Sequence, residues 1–316
     1  MLQVTLQDER LHVGDRFSMS FQRTLRIPDD GRQYPLPPGL GKFPIESVTQ
    51  FADRVPQAWQ GENAFLIPMY QSEALWLGFD GAAWKPNAVQ ISIGQINVIT
   101  GEQWNGGLTA EPQNYIVTPQ QPWLDGIKTG DGLIRQFVAM PLGLGYTIEA
   151  QVSGKEEFGG IQIIVYEPKP GRFPDQAPPS PMMGRGSRPA MGMGSAMGLG
   201  AGGQMRQKIY PDSHGVDTWD VDNYGKVMVY IVNSEQYQRI TGREPPPTPF
   251  SAKTYTEYGF PWFDLYDEEK GDLATSESLK QIKSIREFNQ ESGVPPEPTD
   301  ESINVEDAMV QKLHIP

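Results

Sequence analysis

Cysteine is absent from this chain of 316 residues. The absence excludes disulfide bonds, zinc sites built from thiolates and catalysis by a cysteine nucleophile. The sequence also lacks a long apolar run, and its beginning, MLQVTLQDERLHVGD, has no basic segment followed by an apolar one. It therefore predicts neither a membrane span nor a signal peptide, and we expect a soluble protein in the cytoplasm.

Positive charge is also in short supply. The chain has 26 lysines and arginines against 39 aspartates and glutamates, which gives a formal net charge of −13. Nucleic acids and anionic membranes are bound by basic surfaces that displace counterions. The composition thus argues against a nucleic-acid partner and against membrane insertion.

The usual signatures of nucleotide binding and hydrolysis are missing. GLGKF at 39–43 lacks the Ser or Thr that follows the lysine of a phosphate-binding loop. PLGLGYTIE at 141–149 lacks the third glycine of a dinucleotide-binding loop. Neither Gly-x-Ser-x-Gly nor His-Glu-x-x-His occurs. The sequence favours a protein without catalytic activity over an enzyme.

Glycine and proline are abundant, with 34 and 29 residues, which favours turns and short strands. Apolar residues at the odd positions from Phe17 to Ile27 predict a strand. Arg23 interrupts its apolar face and needs either a buried carboxylate or a place near an edge. A change of parity at Gly94 and Gln95 predicts a β-bulge. Further strands are predicted at 64–70, 74–79, 88–99, 133–140, 145–152, 160–166 and 226–232.

These patterns predict a mainly β fold. We expect a β-sandwich or barrel-like lobe with a smaller α+β C-terminal segment. The predicted parts are a β-rich lobe at 1–168, a Pro/Gly/Met-rich insertion or linker at 169–208, an α+β segment packing on the lobe at 209–293, and an extended acidic tail at 294–316.

Three short helices are predicted within the α+β segment. Asn233 caps the first, which ends at Gly242, and Ser251 caps the second. The third begins after Thr275 or Ser276. Apolar residues at helical spacing form its inner side: Leu279, Ile282, Ile285 and Phe288.

Half of the twelve methionines lie in a glycine-rich tract: Met182, Met183, Met191, Met193, Met197 and Met205. Thioethers are soft ligands that suit Cu(I), and they also form an adaptable packing surface for a partner. A flexible insertion between two strands is a further interpretation, because the entropy of loop closure rises slowly with length. We favour contact with a neighbouring subunit.

A second candidate site is the acidic segment YPDSHGVDTWDVDNYG at 210–225. Asp220 and Asp222, with His214 nearby, partly match a calcium loop, although the distal glutamate of an EF-hand has no counterpart. A solvated acidic loop is the alternative interpretation. Calcium and copper are the only cofactors that the sequence brings into consideration.

The segment YGFPWFDLYDEEKGD at 258–272 joins aromatic residues to carboxylates. Its aromatic residues are predicted to anchor the segment on the β lobe: Phe260, Trp262 and Phe263. Its carboxylates are candidates for the acid and base of a glycosidase, which needs two carboxyl groups of different pKa: Asp264, Asp267 and Glu268.

Three blocks of the sequence resemble a family of uncharacterised microbial proteins to which no activity is assigned: FQRTLRIPDDGRQYPLPPGLGKFPI at 21–45, QPWLDGIKTGDGLIRQFVAMPLGLGYTIEAQ at 121–151 and YGFPWFDLYDEE at 258–269. The resemblance covers most of the chain apart from the methionine tract and the tail. It implies no catalytic residue.

The leading hypothesis is a non-catalytic structural or binding protein that self-associates into a homo-oligomer or polymer. The contacts would come from strand edges, the methionine tract and the C-terminal tail. A carbohydrate-active hydrolase with a carboxylate pair near Trp262 is the alternative, and a copper-binding protein is another.

Overall fold

The computed structural model describes residues 1–177, 197–266 and 270–314. The strands of this described part are β1 (Val4–Gln7), β2 (Arg10–Val13), β3 (Phe17–Thr24), β4 (Gln33–Tyr34), β5 (Gly39–Lys42), β6 (Glu46–Ser47), β7 (Ala64–Pro68), β8 (Ala74–Asp80), β9 (Asn87–Ile93), β10 (Ile96–Asn97), β11 (Ile116–Thr118), β12 (Trp123–Leu124), β13 (Gly126–Gly130), β14 (Leu133–Pro141), β15 (Ile161–Pro168), β16 (Met197–Arg206), β17 (Trp219–Val232), β18 (Trp262–Tyr266) and β19 (Val310–His314). The helices are α1 (Ile148–Ser153), α2 (Ser234–Thr241), α3 (Ala252–Glu257), α4 (Glu277–Lys280) and α5 (Ile285–Glu291), with short 3₁₀ turns at Val48–Phe51, Gln57–Trp59, Val216–Thr218, Pro298–Asp300 and Asp307–Met309.

The first seventeen strands form one hydrogen-bonded network, which divides into two sheets. Sheet I contains β2, β3, β8, β14 and β16, all antiparallel to their neighbours in this order. Sheet II contains β11, β9, β15, β17 and β7, of which only the last pair is parallel. The pairing of Met197 with Ile231 joins β16 to β17 and thereby the two sheets.

The inward-facing residues of both sheets share one apolar core. The alternation predicted from Phe17 holds, because Phe17, Met19 and Phe21 are all buried in this core. Ile163 and Val229 of sheet II belong to the same cluster. Two sheets that pack face to face over a common core are consistent with a β-sandwich. The mainly β prediction, with a small α+β C-terminal part, is confirmed.

The predicted β-bulge at Gly94 and Gln95 is wrong. Both residues have positive φ angles, 52° and 63°, and Ile96 pairs back onto Ile93. The chain therefore makes a two-residue hairpin here, in the backbone conformation that such tight turns require. A tight turn changes the parity of the apolar positions just as a bulge does, so the pattern alone did not separate the two.

The predicted strand at 145–152 is also wrong, because Ile148–Ser153 is the helix α1. The hydroxyl of Thr147 accepts a hydrogen bond from the Ala150 N–H at 3.1 Å and starts the helix. Gly154, with a φ of 73°, ends it. In so short a segment, these caps decide the structure over an alternating pattern.

The predicted helix caps at Asn233 and Ser251 are confirmed. The Asn233 side chain accepts from the Gln236 N–H at 2.9 Å, and Ser251 caps α3 in the same way. The predicted third helix is instead two helices, α4 and α5. Ser284 and Glu287 form a reciprocal capping box, which starts a new helix inside the predicted one.

Part of the predicted insertion is a strand, since β16 pairs along β14 in sheet I. Its glycines allow close packing: a Cβ atom at Gly202 would lie 2.6 Å from Cγ2 of Val138. The glycines here are required by close packing against neighbouring atoms, and not by a need for a flexible chain. Four methionines of the tract lie outside the described residues: Met182, Met183, Met191 and Met193.

Candidate binding site

A groove lined by two tryptophans lies on the outer face of sheet I. Trp123 of β12 pairs with Gly78 of β8, two residues after Trp76, so both indoles project from neighbouring strands on the same side. The cavity has a volume of about 260 Å³. We call it the tryptophan groove, and it is lined by Leu36, Pro37, Pro38, Gly39, Trp76, Trp123, Asp125 and Phe263.

Two glycines make room for the Trp76 indole. A Cβ atom at Gly78 would lie 3.0 Å from Cζ3 of Trp76, and one at Gly39 would lie 3.6 Å from Cζ2. The half-buried ring therefore lies against backbone that carries no side chain at these two positions. A methyl group at Gly78 would force the indole to shift.

The proline-rich segment that contributes Pro37 and Pro38 is fixed by hydrogen bonds on both sides. The backbone groups of Leu36 and Phe263 exchange two hydrogen bonds of 2.7 and 3.0 Å. The Thr24 hydroxyl donates to the Pro38 carbonyl at 2.8 Å. Since proline has no N–H to donate, these bonds to its neighbours and its carbonyl hold the segment against the sheet.

Asp125 supplies the carboxyl group of the groove and is 5% exposed. Its backbone N–H donates to Oε1 of Gln207 at 2.9 Å, and Nε2 of Gln207 donates back to Oδ2 of Asp125 at 2.9 Å. The Trp123 side chain donates to the same carboxyl group. Both donors to the carboxyl group are therefore neutral side chains.

Burial raises the pKa of Asp125 to about 7, against the opposing effect of these hydrogen bonds. Within the described residues, no lysine or arginine forms an ion pair with Asp125 that would lower this pKa. Both protonation states of the carboxyl group are consequently populated near neutral pH. It can both donate and accept a hydrogen bond there, which suits recognition of a hydroxyl group.

The predicted catalytic residues do not join Asp125. Asp264 lines a neighbouring cavity with Tyr34 and Arg206. Trp262 is fully buried, and its indole N–H donates to Oγ1 of Thr256 at 3.2 Å. Of the other predicted residues of this segment, Phe263 lines the groove, Phe260 is exposed, and Asp267 and Glu268 lie outside the described residues.

The predicted calcium ligands are not brought together into a metal site. The N–H of Asp222 donates to Oδ1 of Asp220 at 3.1 Å in the exposed part of β17 near its start. The His214 ring makes edge contacts with Phe173 and Trp219, at centroid distances of 5.2 and 6.0 Å. Across the described ranges, no group of three His, Asp or Glu side chains could hold a metal ion.

The two described methionines of the tract, Met197 and Met205, are buried in β16. Met197 belongs to the core between the sheets. Met205 packs in a second apolar cluster together with Ile134 and Trp262. Neither thioether is therefore available on the surface of the chain.

Sequence reasoning missed Trp76, Trp123 and Asp125. One signal for Trp76 was present, because a large aromatic residue stands at an outward position of the predicted strand 74–79. Trp123 and Asp125 stand in a short Trp-Leu-Asp stretch whose strand character is not readable from so few residues. No family model, curated protein or solved structure matches the chain.

No helix in the described part of the chain has the length and apolar character that crossing a membrane requires.

Proposed function

We propose that this chain is a non-catalytic binding protein whose tryptophan groove takes a carbohydrate. The observation that carries the proposal is the pair of half-buried indoles beside a buried carboxyl group without a cationic partner. A pyranose ring presents an apolar C–H face and a rim of hydroxyl groups. Aromatic side chains can cover the apolar face, and Asp125 can form hydrogen bonds with the hydroxyl groups.

The size of the groove limits how much of a carbohydrate it can hold. Its volume of about 260 Å³ lies just below the range of roughly 300–1,000 Å³ that is usual for drug-sized ligands. We therefore expect it to take one sugar ring. Further rings of an oligosaccharide would extend over the neighbouring surface.

A proline-rich peptide is the competing occupant, since such peptides dock into aromatic-lined grooves. Its backbone carbonyls would need hydrogen-bond donors in the groove. The Trp123 side chain already donates to Asp125, and the Asp125 carboxyl group can donate to a peptide carbonyl only in its protonated form. This favours a sugar, whose hydroxyl groups can both donate and accept.

The lining also favours binding over hydrolysis. Most glycosidases use two carboxyl groups placed on either side of the scissile bond. Asp125 is the one carboxyl group among the described residues that line the groove. We therefore assign it a hydrogen-bonding role toward a sugar hydroxyl rather than an acid–base role.

Replacing either Trp76 or Trp123 with alanine is expected to weaken oligosaccharide binding by about tenfold or more, which corresponds to a loss of about 1.4 kcal/mol. Each change removes an aromatic surface from the groove. Binding of soluble cello-, xylo-, manno- and chito-oligosaccharides would be measured by calorimetry. Trp59→Ala is the matched control, because Trp59 is half-buried and stacks on Tyr230 away from the groove.

Three outcomes would contradict carbohydrate binding in the tryptophan groove. The wild type could fail to bind any member of the panel, or Trp59→Ala could lose as much affinity as the groove variants. A synthetic proline-rich peptide could bind where the sugars do not. Release of reducing ends from a bound oligosaccharide would overturn the non-catalytic part alone.

Self-association is a second candidate function, and an open strand edge favours it. β19 pairs in parallel with β18 of the same chain, from Val310 opposite Trp262 to His314 opposite Tyr266. No further described strand pairs with β19. Phe260, which is 49% exposed, lies two residues before β18. Unpaired edges and exposed aromatic side chains are both routes to contact with another copy of a chain.

Phe260→Glu is expected to dissociate such assemblies to a monomer of 35.2 kDa, because the new charge would be desolvated in the contact. Phe158→Glu is the control, since Phe158 is exposed to a similar extent, 43%. Sedimentation equilibrium at several protein concentrations would measure the mass. A monomeric wild type, or equal dissociation of both variants, would remove this candidate.

A further inference from the structure

A second cavity, of about 460 Å³, lies on the outer face of sheet II. It therefore belongs to the other sheet from the tryptophan groove and shares no lining residue with it. We call it the lysine pocket. Its lining consists of Gln95, Trp104, Asn105, Gly106, Ile164, Tyr166, Tyr224 and Lys226.

The floor of the lysine pocket is built from paired strands. Ile164 of β15 stands opposite Lys226 of β17, and Tyr166 stands opposite Tyr224. The two tyrosine rings are 5.9 Å apart between centroids. The pairing fixes these four side chains on one face of the sheet, where they form an apolar and aromatic surface beside a single cation.

The remaining wall is a loop that is held at two points. The backbone N–H of Trp104 donates to the backbone carbonyl of Gln95 at 2.7 Å. The Tyr166 hydroxyl donates to the Gly106 carbonyl. These two hydrogen bonds hold the loop against the β9–β10 turn and against β15.

The charge of the pocket differs from that of the whole chain. Lys226 is exposed, and its ammonium lies 4.3 Å from the centroid of the Trp104 ring. No acidic residue lines the pocket, and in the described ranges no acidic side chain forms an ion pair with Lys226. In a chain of net charge −13, the ammonium thus faces an aromatic ring rather than a carboxylate.

The other polar groups of the pocket also favour an acceptor-rich ligand. The Trp104 indole nitrogen is buried and has no hydrogen-bond partner among the described residues. The amides of Gln95 and Asn105 lie in the same lining and can donate as well. These amides and the Lys226 ammonium are the donors from which the oxygen atoms of a ligand can accept.

We infer that the lysine pocket binds a small aromatic carboxylate. The carboxylate bonds to the Lys226 ammonium, and the aromatic ring lies against Tyr224 and Ile164. The ammonium exchanges its contact with the Trp104 ring for a charge-assisted hydrogen bond, which is the stronger of the two interactions. This inference is independent of the carbohydrate proposal, because the two sites have no residue in common.

The test is a calorimetric titration of the full-length protein with 4-hydroxybenzoate. Saturable binding is expected, with an affinity that falls as salt is added. Lys226→Met should weaken it by about tenfold or more, because it removes the ammonium while keeping an unbranched side chain. Lys155→Met is the matched control, because Lys155 is exposed outside the pocket and should leave the affinity unchanged.

Two further ligands measure the contributions of the charge and of the aromatic ring to binding separately. Cyclohexanecarboxylate keeps the charge but not the aromatic ring, and inorganic phosphate supplies an anion alone; both should bind at least about tenfold more weakly than 4-hydroxybenzoate. Equal binding of phosphate would overturn the aromatic part of the inference. Absence of saturation at about 10 mM 4-hydroxybenzoate, or unchanged affinity in Lys226→Met, would overturn the inference as a whole. The exposed position of Lys226 keeps the variant folded, which its unfolding midpoint would verify.

Discussion

Replacing Asp125 with asparagine is expected to remove a large part of the pH dependence of unfolding between about pH 4 and pH 7. Burial raises the pKa of Asp125 to about 7 in the folded protein, whereas an exposed aspartate has a pKa of about 4. The folded state therefore binds the proton more tightly than the unfolded state. The stabilising contribution of Asp125 to the free energy of unfolding is therefore fully present below about pH 4. It is lost as the pH rises through about 7.

The expected size follows from the shift in pKa. A shift of three pKa units corresponds to about 4 kcal/mol. This is an upper bound for the free energy of unfolding that is lost when Asp125 ionises between acidic and alkaline pH. The asparagine variant keeps a side chain that can accept from Gln207 but does not ionise. On raising the pH from about 5 to about 8, the wild type should therefore lose stability relative to the variant.

Urea unfolding of both proteins at the two pH values would measure this difference. Other buried acids whose pKa is raised by burial, Asp29, Glu73 and Asp300, contribute equally to both proteins and cancel. Asp222→Asn, a change at an exposed aspartate, is the matched control and should follow the wild type. Parallel pH profiles for the wild type and Asp125→Asn would show that Asp125 does not titrate in this range.

Arg23→Met is expected to destabilise the protein by about 3–5 kcal/mol, the usual cost of removing one partner of a buried ion pair. Arg23 is buried within β3, and its Nε donates to Oε1 of Glu73 at 2.7 Å. A second guanidinium nitrogen donates to the Pro247 carbonyl at 2.7 Å. Glu73 also accepts from the Tyr70 N–H at 2.9 Å. The substitution would leave the Glu73 carboxylate buried without a cation.

A double-mutant cycle separates the pair from its packing. Arg23→Met with Glu73→Leu should recover much of the stability that either single change removes, because no uncompensated charge remains. Arg32→Met, at an exposed arginine, is the control and should cost less than about 0.5 kcal/mol. Free energies of unfolding from urea titrations would complete the cycle. Strictly additive effects would mean that Arg23 and Glu73 do not stabilise each other.

The requirement for a buried partner at Arg23 was readable from the sequence, but the partner was not. A cation at an apolar position of a strand predicts either a buried carboxylate as its partner or a place near the edge of the sheet. Glu73 follows from the register that places Arg23 opposite Leu75 of β8. That register depends on packing between strands that are distant in the chain, which local patterns do not encode.

The sequence by itself determined the mainly β class, most of the strands, and the caps of α2 and α3. These features depend on alternation along one strand or on hydrogen bonds between residues three apart, so a short stretch contains all the information. Only the tertiary structure decided the tryptophan groove. Trp76 and Trp123 meet because β12 pairs with β8, and Asp125 has its raised pKa because residues from other strands exclude water from it. Strand pairing and desolvation are properties of the folded chain as a whole, and for that reason the binding chemistry of this protein lay beyond its local sequence patterns.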